Sequence, residues 1–130
     1  MQQLHNGEIR SAKGPVFQTA IIAGTMATKQ TSALIPFCHP LPIEHANITV
    51  EVIGECLSIR CHVATSYKTG VEMEAMTGVS IAALTVYDMC KSLHKGIIIE
   101  SLHLLKKTGG KSGDYAPTTH QQTTFNQEST

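Results

Sequence analysis

Hydrophobic positions recur along the chain with two periods, and these periods lay out its elements. Val16, Ala20, Ile21, Ala23, Met26 and Ala27 fall at helical spacing. They predict a helix from about Pro15 to about Lys29, with proline at the favoured first position. Ile48, Val50 and Val52 then alternate with Thr49 and Glu51. Leu57, Ile59, Cys61 and Val63 alternate with Ser58, Arg60, His62 and Ala64. A period of two predicts two strands, and Gly54-Glu55 between them predicts a hairpin. The helical period returns at Met76, Val79, Ala83, Val86, Tyr87 and Cys90. A second helix is therefore expected from about Glu74 to about Leu93, with Gly96 just past its end. A third strand is expected at about Ile97–Leu105.

The remaining stretches lack either period. Residues 1–12 are polar and read as irregular. Thr31 to Pro42 holds Pro36, Pro40 and Pro42, which forbid a regular helix or central strand, so a rigid, ordered loop is expected. Ala116–Thr130 is rich in Thr and Gln and reads as a polar, disordered tail behind a single domain over residues 1–115. Helix, strand, strand, helix, strand is the order of an α+β sandwich, with two helices on one face of an antiparallel sheet. One strand ahead of the first helix would complete a ferredoxin-like βαββαβ unit. That leading strand is not visible in the pattern.

Composition narrows the class of function. Across 130 residues, 42% are hydrophobic and 15% charged, which suits one domain with a real core and excludes a disordered chain. Ten Lys+Arg balance ten Asp+Glu. A coat for nucleic acid or an anionic membrane needs a basic excess, so any bound anion is expected to be small and held in a local basic pocket. No secretory signal or membrane span is apparent. Cys38, Cys56, Cys61 and Cys90 lie inside apolar segments and read as mostly buried, reduced thiols of a cytoplasmic protein.

Four segments carry candidate chemistry. In Pro36-Phe37-Cys38-His39-Pro40 two prolines fix the backbone around a Cys-His pair. A rigidly aimed imidazole suits proton transfer or an anion contact, and a tight turn with a half-buried histidine is the structural alternative. Cys38-His39 and Cys61-His62 also raise zinc. Adjacent residues point to opposite faces of a strand, and zinc ligands usually lie two to four residues apart, so no metal site is assigned.

In Lys68-Thr69-Gly70-Val71-Glu72-Met73-Glu74 the two carboxylates would project together if the segment were extended. Such a pair can grip adjacent N–H donors on a guanine or pterin edge; acids favouring a helix dipole are the alternative. Asp88 and Lys91 are neighbours at i, i+3 on the second helix. Partial burial would raise the Asp pKa and lower that of the Lys, while their pairing opposes both shifts; such a pair could shuttle protons. Lys106-Lys107-Thr108-Gly109-Gly110-Lys111-Ser112-Gly113 ends like a P-loop, but Leu105 stands where that loop needs glycine. The segment reads instead as a phosphate nest. Six of the ten basic residues lie from Lys68 to Lys111, which supports a local phosphate pocket.

Taken together and in this order, these motifs resemble the MoaC family of cyclic pyranopterin monophosphate synthases, over about Lys13 to Tyr115. The resemblance implies a ferredoxin-like subunit in a homohexamer, a trimer of dimers. It implies conversion of 3′,8-cyclo-7,8-dihydro-GTP, made by the radical-SAM pathway partner MoaA, to cyclic pyranopterin monophosphate with release of diphosphate. No redox cofactor is implied, although Mg²⁺ often accompanies a triphosphate. By resemblance, Asp88 and Lys91 act as general acid and base. Phe37, Cys38, His39, Met73 and Glu74, with neighbouring Glu72, contact substrate. Lys13 is a functional lysine before the first helix, and Lys107 and Lys111 face the phosphates. Family members usually have Leu where Phe37 stands and a basic residue where Gln30 stands. They usually begin with a further segment carrying a first strand, so the chain reads as a shortened member or one with a misassigned start. A shortened, non-catalytic paralogue that binds a nucleotide or pterin is the alternative.

Overall fold

The computed structural model describes residues 4–67, 69–109 and 114–116, and the backbone of residues 126–129. Three short strands open the chain: β1 (Leu4–His5), β2 (Glu8–Ser11) and β3 (Gly14–Pro15). They form their own antiparallel sheet in the order β1-β2-β3. This corrects the irregular reading of residues 1–12 from Leu4 onward; residues 1–3 lie outside the described residues. Asn6 and Gly7, with φ of 52° and 73°, make the two-residue turn between β1 and β2. Asn-Gly tolerates these positive φ values and matches the strand twist. Ile9 is 4% exposed and anchors this small sheet in the core.

Helix α1 (Val16–Thr28) follows directly, with Pro15 and Lys29 as its caps. The expected loop begins with a short helix, α2 (Thr31–Leu34), and only then becomes irregular. The prolines start at Pro36, so nothing blocks this extra turn, and the Thr31 hydroxyl donates to the Ala27 and Thr28 carbonyl oxygens. Strands β4 (His45–Ile53) and β5 (Cys56–Ala64) form the expected hairpin, in register from His45 opposite Ala64 to Ile53 opposite Cys56. Gly54, with φ of 63°, supplies the turn.

Helix α3 (Glu72–Cys90) buries Val79, Ala82, Ala83, Val86 and Met89, while Tyr87, expected on the apolar stripe, is exposed. The third strand is only β6 (Ile97–Ile99); residues 100–105 run on outside any ladder. Residues Asn126–Ser129, expected in the disordered tail, form β7. The main sheet has the order β4-β5-β7-β6, all antiparallel. An unpaired strand edge costs hydrogen bonds, and β7 joins the edges of β5 and β6.

The helices pack on the sheet through Ile48, Leu57 and Ile59, giving a ferredoxin-like α+β sandwich. Gly24 and Gly78 set the approach of α1 to α3. A methyl group at Gly24 would lie 2.7 Å from the Gly78 carbonyl oxygen, and one at Gly78 would lie 2.6 Å from Thr28 Cγ2. Lys13 meets Asp88 while Gly24 meets Gly78, so the two helices run antiparallel. No helix among the described residues is long and apolar enough to cross a membrane.

Candidate active site

The expected site residues fall into two groups at opposite ends of α3. At its C-terminal end, Asp88 sits between two lysines. Lys13 Nζ lies 2.8 Å from Asp88 Oδ2, and Lys91 Nζ lies 3.1 Å from Asp88 Oδ1. Lys91 is the cap residue of α3, and Lys13 projects from the β2–β3 turn. All three side chains are exposed. The hydrogen bonds from Lys13 and then Lys91 hold the Asp88 carboxyl below its ordinary value, outweighing the little desolvation it meets. Of the two opposing influences the sequence raised, burial and pairing, pairing decides the shift, because the side chains are exposed. The cluster joins one ionised acceptor to two ammonium donors, the equipment of acid–base chemistry.

At the N-terminal end, Glu72 and Glu74 both lie in the first turn of α3. The extended conformation that would point them the same way is not adopted. Residues two apart on a helix diverge, and their fates differ. Glu74 is 5% exposed. Burial pushes its carboxyl up, a backbone hydrogen bond partly offsets this, and the charge of Glu72 adds to the rise. Glu72 turns to Lys107, whose Nζ lies 3.6 Å from Oε1. Its other oxygen, Oε2, is buried without a hydrogen-bond partner. An unpartnered buried acceptor is costly, and here it is free to take an N–H donor. Gly70 makes room for this pair: a methyl group there would strike Glu72 Oε2 and lie 2.9 Å from Lys107 Cε. Met73 is exposed on the same turn.

Glu72 and Lys107 open onto a cleft of about 480 Å³ between β5, the start of α3 and residues 103–108. Arg60, His62, His103 and Lys106 also line it. Arg60, Lys106 and Lys107 are thus among the residues around a cleft that holds the Glu72 carboxylate, a local cluster of basic residues in a chain of zero formal net charge. Sequence reasoning missed Arg60, His62 and His103. Strand alternation places Arg60 and His62 on the outer face, but nothing in the sequence pattern brings residues 103–108 beside them. Lys111 lies outside the described residues, as do Lys68 and the second half of the expected phosphate nest, residues 110–113. Gly109 N–H donates to Asp114 Oδ1 at 3.0 Å, and Lys107 bridges to Tyr115 at the rim of that loop.

Phe37, Cys38 and His39 follow α2. Phe37 is 96% exposed, His39 is exposed and Cys38 half-buried. Among the described residues no hydrogen bond or ion pair joins them to either cluster. All four cysteines are free thiols; Cys90 is buried and the other three half-buried. Cys61 faces Gly78 in the core, and burial pushes its thiol up to about 11. No group of three or more His, Cys, Asp or Glu among the described residues could hold a metal ion.

The protein is a ferredoxin-like sandwich with a lysine-flanked carboxylate at one end of α3 and a carboxylate-bearing cleft bordered by basic residues at the other. Residues 1–110 match the MoaC family model, and the chain belongs to that family. It is 57% identical over 108 residues to molybdenum cofactor biosynthesis protein 1 of Dictyostelium discoideum, covering 82% of this chain and 17% of that protein. It is 56% identical over 110 residues to the molybdenum cofactor biosynthesis bifunctional protein of Synechocystis, covering 81% of this chain and 32% of that protein. It is likewise 56% identical over 110 residues to the cyclic pyranopterin monophosphate synthase of Xanthomonas oryzae, covering 84% of this chain and 67% of that protein. The chain thus spans well under half the length of the first two relatives.

Proposed function

We propose that the chain is a cyclic pyranopterin monophosphate synthase of molybdenum cofactor biosynthesis. It would convert 3′,8-cyclo-7,8-dihydro-GTP, supplied by the partner MoaA, to the cyclic pyranopterin with release of diphosphate. The observation that carries this reading is Asp88 held between Lys13 and Lys91. Opening and closing rings requires protons to be taken and given. Asp88, kept ionised by its neighbours, takes a proton, and the two ammonium groups give one or neutralise developing negative charge. Glu72 Oε2 accepts from the N–H edge of the guanine-derived ring. Arg60, Lys106 and Lys107, around the cleft, would face the phosphates and favour departure of diphosphate, with Lys111 assigned to them by family resemblance alone. No redox cofactor is needed for this rearrangement; Mg²⁺ carried by the phosphates would add neutralisation.

The two clusters cannot serve one substrate within a single copy. Glu72 and Asp88 are sixteen residues apart on one helix, a separation of about 24 Å at 1.5 Å per residue. If both clusters act on one substrate, the site forms between copies, the Asp88 end of one facing the Glu72 end of another. The almost fully exposed Phe37 supports such an assembly, since an apolar ring gains by being covered. A homohexamer built as a trimer of dimers meets this need. The test is formation of diphosphate and pyranopterin from the cyclised substrate, with Asp88→Asn as control. Turnover that vanishes in the control supports the reading. Binding without turnover, indifferent to Asp88→Asn, would replace it with a non-catalytic binding role.

A further inference from the structure

Lys13 stands on a two-residue turn, and that turn is fastened by a residue outside every motif considered above. Helix α1 begins without a side-chain cap, because Pro15 occupies the cap position. The first N–H groups of a helix have no acceptor within it, and the first turn of α1 holds no acidic residue. Glu8, on β2, supplies the acceptors. Its Oε1 accepts from Phe17 N–H at 2.7 Å, and its Oε2 accepts from Gln18 N–H at 3.1 Å. Oε1 also accepts from Ile9 N–H at 2.7 Å. One carboxylate thus ties its own strand to the start of the helix, where the helix dipole favours negative charge. It also stands near the end of α3: burial first, and the charge of Glu8 second, push the Cys90 thiol up.

The tie is passed on to the turn. Ile9, next along β2, is held in the core. Ser11 Oγ accepts from Lys13 N–H at 3.1 Å and donates to the Gly14 carbonyl oxygen at 3.4 Å. Gly14 takes a φ of 118°, which side-chain-bearing residues rarely adopt. With both ends of the turn fixed, the Lys13 side chain starts from one place, and its Nζ meets Asp88 Oδ2 at 2.8 Å.

We propose that Glu8 is a positioning residue: by fastening the β2–β3 hairpin to the first turn of α1, it aims Lys13 at Asp88. Its consequence for catalysis rests on the function proposed above; the Glu8–Lys13 link does not.

The link can be read without substrate. The chain contains two aspartates, Asp88 and Asp114, so labelling aspartate at the carboxyl carbon gives two NMR resonances to titrate. Lys13→Ala sets the reference, since it removes the first of the two lysine hydrogen bonds that hold the Asp88 carboxyl down. Glu8→Ala should raise the Asp88 midpoint toward that reference. Glu8→Gln, which keeps one carbonyl acceptor for the α1 amides, should fall between Glu8→Ala and the parent. In the turnover assay, Glu8→Ala should lower kcat by about tenfold or more, as small misplacements of acid–base groups do, with little change in KM. In a Lys13→Ala background it should cost nothing further.

A folded Glu8→Ala protein whose Asp88 titrates as in the parent would overturn the proposal and leave Glu8 as a helix cap. Losses of rate that add in the double variant would also overturn it. If both Glu8 variants fail to fold, Glu8 serves the fold rather than Lys13, and the proposal falls. If the parent releases no diphosphate, the proposed function fails, and the titration still decides the link.

Discussion

Lys13 and Asp88 lie 75 positions apart in the chain and 2.8 Å apart in the fold. The β2–β3 turn and the last turn of α3 bring them together. Exposed ion pairs contribute little to stability, because water and salt screen them. What the two lysines do here is hold the Asp88 carboxyl below its ordinary value, and the proposed function gives that pairing a chemical use.

Turnover should therefore fail before the fold does. Asp88→Asn and Lys91→Ala should each lower diphosphate release by about 10²-fold or more, the usual contribution of a positioned acid or base. Thermal unfolding should hardly move. Full activity in Lys91→Ala would remove that residue from the mechanism.

Glu74 makes the pH prediction. Its carboxyl is held above the ordinary value, chiefly by burial. The folded state thus binds its proton more tightly than the unfolded chain. The resulting stabilisation is complete below the unfolded value of about 4.3 and is lost as pH rises through the folded value. Glu74→Gln should consequently raise the melting temperature at pH 7, and the gain should vanish below about pH 4. Melting curves at the two pH values check this. A variant less stable than the parent at pH 7 would show that the ionised carboxylate is needed where it lies.

Gly70→Ala should weaken substrate binding while leaving the Asp88 cluster intact. The added methyl group would strike Glu72 Oε2 and crowd Lys107 Cε, so the pair must shift. Calorimetric binding of the cyclised substrate measures the loss. Unchanged affinity would place Glu72 outside the recognition surface.

Phe37→Ser should lower assembly and spare the single subunit. At 96% exposure the ring contributes almost nothing to the core of one copy. Light scattering should find smaller particles at low concentration, with far-UV circular dichroism retained. An unchanged oligomer would show that Phe37 is not covered by a neighbour.

Most of the sandwich was legible because its elements carry strong periods. Alternation in β4 and most of the apolar stripe of α3 appear as expected, whereas Pro15 caps α1 from β3 instead of opening the helix, Ser58 is buried within β5 and Tyr87 leaves the stripe. The β1–β2 hairpin was also written in the chain, since Asn6-Gly7 is a strong two-residue turn signal. Its strands are too short for alternation to register. Pairings made by distant segments left no such trace. Nothing local tells that Asn126–Ser129 lies between β5 and β6, or that residues 103–108 close a cleft against Arg60 and His62. Spacing identified Asp88 with Lys91, an i, i+3 pair. The 75-residue reach of Lys13 was available only through family resemblance, because contact across a fold is not a periodic property. Glu72 and Glu74 show the converse limit: their relation depended on whether the segment was strand or helix, and α3 begins two residues earlier than expected.

Formation of one site by two copies is open to a direct assay of mixed subunits. Asp88→Asn and Glu72→Ala proteins, each first verified to have lost turnover alone, would be unfolded together, refolded and assayed for diphosphate release from the cyclised GTP substrate. A mixed pair contains one site with both changes and one with neither. Random isologous pairing should restore about a quarter of the parent's turnover. No recovery from mixed, correctly assembled particles would contradict a site shared between copies and would require both ends of α3 to act apart.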